Sequence, residues 1–129
     1  PKYARFYLSA LENHIRGKEN PELIVNLNPD SVNLEHILPL NPEDNYPTFT
    51  KEQHLEYCKR IGNMTLMKTK ENNDFKNMKF DDKKIIYAKS EISLTKSLYD
   101  IKEWNIEEIN KRQSYFADLA VETWSLKFE

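Results

Sequence analysis

The chain has 129 residues, 39% of them apolar and 31% charged, which suits one soluble globular domain with a modest core. Two glycines exclude a Gly-rich phosphate loop or dinucleotide fingerprint, a lone cysteine excludes a disulfide framework or Cys-rich zinc site, and no run approaches the roughly 18 apolar residues of a membrane span. The net charge of −2 does not advertise nucleic acid, yet residues 59–96 carry ten Lys and Arg against five acids, a local excess that can meet phosphates or merely solvate a helix face.

The first predicted element is an amphipathic helix over 2–16, with Tyr3, Phe6, Tyr7, Ala10, Leu11, His14 and Ile15 in one stripe and Gly17 placed to end it. Leu23-Ile24-Val25 reads as a short strand. Residues 32–38 alternate and are rich in branched side chains, so they read as a strand ending at Pro39. The stretch 39–49 holds Pro39, Pro42 and Pro47 and reads as a loop.

Thr50 and Gln53 form a capping-box pattern for a helix over 51–60, which Gly62 stops. Met64-Thr65-Leu66-Met67 is a short apolar strand, and Thr69 can cap a helix over 70–77. Asp81 can cap a further helix, with Phe80 and Ile85 as a staple, and Leu94, Leu98 and Ile101 suggest another after Ser93. Asn105 and Glu108 form a capping-box pattern for a long C-terminal helix with Ile109, Gln113, Phe116, Ala117, Ala120, Val121 and Trp124 as its stripe. Around the middle the order is strand, long loop with a helix, strand, helix: a ββα unit over about 31–78 in a mostly helical α+β domain.

Three pieces carry candidate chemistry: Glu35-His36-Ile37-Leu38-Pro39, then Gly62-Asn63-Met64-Thr65-Leu66, then Asn72, nine residues after Asn63. Taken singly, each has an ordinary explanation: a solvated acid, a surface histidine, a turn asparagine, a polar residue near a helix start. Together, in this order, they resemble the HNH, or ββα-metal, nuclease family. The run from Glu35 to Pro39, the Gly62-to-Leu66 run, Asn72, and Asn77-Met78-Lys79-Phe80 with Lys83 resemble one branch of it, the domain at the C-terminus of GmrSD-type modification-dependent restriction enzymes; Trp104, Arg112 and Trp124 fit it too.

That resemblance implies a metal-dependent DNA endonuclease of restriction or anti-phage defence. His36 would be the general base, Asn63 would fix the loop and orient His36, and Glu35 and Asn72 would hold one divalent cation, with Asn73 as an alternative ligand. Hard oxygen donors favour Mg²⁺ or Mn²⁺. An imidazole of ordinary pKa near ~6.5 is largely neutral at physiological pH and so fit to take a proton. Lys68, Lys70, Lys76, Lys79 and Lys83 are candidate phosphate contacts. The implied partners are DNA, possibly modified, and an N-terminal nucleotide-hydrolysing or sensor domain of the same protein.

The first residue is Pro1 rather than Met, which suggests a domain of a longer protein, and the lone cysteine fits a reducing, cytoplasmic setting. Two departures from the commonest HNH pattern stand out: the third letter is Asn rather than His, and the bracing CxxC pairs are absent, so flanking helices must brace the core. The alternative is a catalytically silent DNA-binding or regulatory domain of the same shape. One geometric tension is visible at once: neighbours in a regular strand face opposite ways, so Glu35 and His36 can share a site only where the strand ends or bends.

Overall fold

In the computed structural model, residues 2–19, 28–68 and 78–125 are described. They form α1 (Lys2–Glu19), β1 (Val32–His36), α2 (Lys51–Tyr57), β2 (Met64–Lys68), α3 (Phe80–Tyr87), α4 (Ser93–Lys96) and α5 (Ile106–Thr123), with short 3₁₀ turns at Pro29–Ser31, Ile61–Asn63 and Ser97–Asp100. Among the described residues the fold is α+β, helices around one two-stranded sheet. The predicted strand at Leu23–Val25 and the predicted helix over 70–77, the third element of the ββα unit, lie outside the described residues.

β1 and β2 pair antiparallel from Val32↔Lys68 to His36↔Met64. Residues 64–67 of β2 are all buried, so the strand is covered on both faces and reads as a continuous apolar run rather than an alternation. Leu66 and Met64 face Leu8, Leu11, Phe116 and Leu119 of α1 and α5. Met67 faces the other core, with Phe80, Tyr87, Trp104 and Ile109.

Several local rules hold. Thr50 Oγ1 accepts the Gln53 amide at 3.1 Å and Gln53 Oε1 accepts the Thr50 amide at 2.9 Å, a complete capping box for α2. Asn105 Oδ1 accepts the Glu108 amide at 3.0 Å, the N-cap half of the predicted box, and opens α5.

Other expectations shift for physical reasons. α1 runs past Gly17 to Glu19, because that glycine keeps an ordinary negative φ and helical hydrogen bonding continues. Its buried face is rotated from the predicted stripe: Tyr3 and Phe6 are exposed, while Leu8 and Glu12 are fully enclosed. Glu12 is drawn in because its carboxylate accepts the Ser93 and Leu94 amides at 2.9 and 3.0 Å and caps α4. α2 stops at Tyr57, short of residue 60. α3 starts at Phe80 with Lys79 as its cap position, so Asp81 lies in the first turn rather than capping, and Ile85 is exposed rather than stapled. In α5 the buried positions are Ile109, Arg112, Phe116 and Leu119, while Val121 and Trp124 are exposed.

Gly62 is glycine for close approach, not for an unusual φ. A Cβ there would fall 2.2 Å from the Ile109 carbonyl oxygen, so the turn before β2 packs directly on the α5 backbone.

Candidate active site at the end of the first strand

β1 is predicted to reach Leu38 but ends at His36. The register puts Glu35 opposite Thr65 and His36 opposite Met64, positions whose side chains a regular pleat would turn to opposite faces. His36 is the last residue of the ladder, where the chain leaves the sheet, and it is half-buried. The two candidate residues are therefore adjacent at a strand end rather than in mid-strand.

Beyond His36 the chain has no regular partner strand among the described residues, yet Ile37, Leu38 and Pro39 are buried, and buried backbone groups must be satisfied. Side chains from three places meet that need. Lys83 Nζ donates to the carbonyls of His36 (3.2 Å) and Ile37 (3.0 Å). Asn63 Nδ2 donates to the Leu38 carbonyl at 2.9 Å, and the ring nitrogen His54 Nε2 lies 2.8 Å from the Pro39 carbonyl. The amides of Ile37 and Leu38 donate to the Asn63 main-chain oxygen (2.9 Å) and to Asn63 Oδ1 (2.8 Å). All four consecutive carbonyls are thus held, which fixes the segment following His36.

Asn63 is fully buried and uses both ends of its amide. Oδ1 also accepts from Trp104 Nε1 at 2.9 Å, and Nδ2 also donates to the Cys58 carbonyl at 2.9 Å. An amide carries two donors and two acceptor sites, and all four are used. The turn that presents Asn63 is braced by Arg112, whose guanidinium donates to the carbonyls of Gly62, Met64 and Leu94 at 2.9, 2.8 and 3.2 Å. Its partners in these bonds are main-chain carbonyls. Burial lowers its pKa to about 10, so it stays charged at neutral pH.

Glu35 is 8% exposed and looks toward α3. Its Oε2 accepts from the Tyr87 hydroxyl at 2.8 Å and lies 3.2 Å from Lys83 Nζ. Burial raises the Tyr87 phenol well above its usual pKa, and the Glu35 charge adds to that, so the phenol stays a donor. Burial pulls the Lys83 ammonium down and Glu35 pulls it back up. For His36, burial lowers the pKa and the nearby Lys83 ammonium lowers it further, so its neutral form is favoured.

The other expected residues divide. Lys79 is exposed at the start of α3. Lys68 is exposed but ion-paired with Glu91 at 2.7 Å. Lys83 is corrected: it is wholly buried and holds carbonyls and a carboxylate, so it is not on the surface to meet a phosphate. Lys70, Lys76 and the ligand candidates Asn72 and Asn73 lie outside the described residues. Trp104 and Tyr87 are buried, and the Tyr87 hydroxyl serves Glu35. Tyr99 is exposed; Trp124, half-exposed, stacks on Tyr7 at 5.6 Å.

Sequence reasoning missed Lys83, Tyr87 and His54 as supports of this segment. The spacing of Lys83 and Tyr87, one helical turn apart, put both on one face of α3, but only the fold shows that this face covers Glu35.

As a metal centre, the described part of the site is incomplete. Glu35 is a hard oxygen donor of the type Mg²⁺ takes, but no group of three or more His, Cys, Asp or Glu residues that could hold an ion occurs among the described residues. Nor is any helix of the described residues long and apolar enough to cross a membrane.

No curated protein sequence is significantly similar to the chain. The family model described as GmrSD restriction endonucleases, C-terminal domain, matches residues 1–119.

Proposed function

The chain belongs to the C-terminal domain family of GmrSD restriction endonucleases, and on that premise we propose that it is an HNH-type, metal-dependent nuclease domain that hydrolyses or nicks DNA in restriction defence. The observation that carries the reading is the placement of His36. It is the last residue of β1, half-buried with a lowered pKa, and the segment after it is tied at every carbonyl.

Phosphodiester hydrolysis needs a base for the attacking water and positive charge for the developing phosphorane. His36 takes the water proton in its neutral form. Asn63 orients it indirectly, by fixing the backbone of residues 37 and 38. Glu35 and Asn72 would bind one Mg²⁺ or Mn²⁺, which would supply the positive charge at the phosphate. Lys79 and Lys68, with Lys70 and Lys76 of the basic stretch, would contact the DNA backbone. Residues 1–129 would form one nuclease domain of a longer cytoplasmic protein, in which an N-terminal nucleotide-hydrolysing or sensor domain chooses the target, modified DNA included.

Plasmid nicking in Mg²⁺ or Mn²⁺, with and without EDTA, beside His36→Ala, tests the reading. Cleavage that EDTA and the substitution both abolish is expected. Cleavage that survives either removes the mechanism, and DNA binding without cleavage by the wild type favours the catalytically silent alternative.

A further inference from the structure

One buried charge does more than fill space. Lys83 is fully enclosed, and an ammonium is costly to bury, so its contacts must offset that cost. Its three donors find three acceptors: the carbonyls of His36 and Ile37 and Glu35 Oε2, at 3.2, 3.0 and 3.2 Å. The Tyr46 ring lies 5.9 Å away on another side. Lys83 is thus bonded to Glu35, His36 and Ile37, and two of those contacts are to the backbone that leaves the sheet at His36.

We propose that Lys83 is a positioning residue of the nuclease centre: a buried ammonium that ties the Glu35 carboxylate to the main chain of residues 36 and 37 and so fixes where the His36 imidazole sits. This rests on the function proposed above. It differs from a phosphate-binding role, because Lys83 reaches no solvent, and from a purely packing role, because its ammonium grips the strand end beside the proposed base. Tyr87 donates to Glu35 as well, and Lys83 supplies the bonds to the His36 and Ile37 carbonyls.

Lys83→Met keeps the length and removes the charge. With the variant folded by circular dichroism, kcat is expected to fall about 100-fold, the scale of an ångström-size misplacement, while KM for DNA and the salt dependence of binding stay as in the wild type. Tyr87→Phe is expected to lose less. A loss confined to KM, or no loss, overturns the proposal.

A second readout needs no activity. The His36 ring resonances and the exchange rate of the Leu38 amide are followed by NMR in wild type and variant, and both are expected to change. If the wild type cleaves nothing, the nuclease reading fails while this readout still judges whether Lys83 orders His36. If Lys83→Met does not fold because Glu35 is left unpaired, Glu35→Gln/Lys83→Met removes that charge. His36 resonances matching those of Glu35→Gln would overturn the proposal, and displaced ones support it.

Discussion

Asn63 holds Leu38 by both of its backbone groups: Oδ1 accepts the Leu38 amide at 2.8 Å and Nδ2 donates to the Leu38 carbonyl at 2.9 Å. A side-chain amide thereby stands in for one residue of β-strand, two positions past the end of the ladder. The sheet can stop at His36 without leaving Leu38 unsatisfied.

Asn63→Ala is expected to leave the Leu38 groups and the Trp104 indole N–H without these buried partners, at a cost on the order of 3 kcal/mol. Urea unfolding checks the loss. Asn63→Asp is expected to be damaging as well, since it puts a charge in a buried site and removes the donors to Leu38 and Cys58. An unchanged midpoint for either variant would contradict the clamp.

Gly62→Ala is expected to destabilise by about 1–3 kcal/mol, since its Cβ would overlap the Ile109 carbonyl and push the turn off α5. Thermal unfolding reads the effect. Because Asn63 is the next residue, cleavage should fall with stability rather than independently of it.

Glu12→Ala should separate stability from activity. The carboxylate caps α4 through Ser93 and Leu94 and pairs with Arg16 at 3.0 Å, contacts made to α4 and α1 rather than to the segment after His36. Its removal strands those amides and should cost about 2–3 kcal/mol. At temperatures where the variant remains folded, its kcat should match the wild type.

In the metal-free protein, the lowered His36 pKa sets a direction for stability against pH. Unfolded His titrates near ~6.5, so between that value and the lower folded value the unfolded chain binds more protons. This contribution is complete above the unfolded pKa and is lost as pH falls through the folded one. In denaturant melts, the stability of the wild type relative to His36→Gln should fall as the pH drops from 7.5 to 5. Parallel curves would contradict the burial of His36.

Much of this was legible in the sequence where a local rule decides. The Thr50–Gln53 box, the Asn105 cap and the two pairing strands follow from short-range chemistry, and Glu35, His36 and Asn63 stand out by order and spacing. What sequence could not show depends on long-range partners. β1 stops two residues early because Asn63 replaces a strand, Glu12 turns inward because α4 needs a cap, and Lys83 looks like a phosphate ligand until α3 is seen lying over Glu35. A basic residue reads alike in sequence whether it meets DNA or a buried carbonyl.

The most direct measurement is the anomalous signal of a crystal soaked in Mn²⁺. One manganese bound jointly by the Glu35 carboxylate and the Asn72 amide, with the His36 imidazole facing the same cleft, is the expected result. Manganese bound elsewhere, or His36 and Asn72 on separate surfaces, would contradict a metal-assisted nuclease centre at the end of β1.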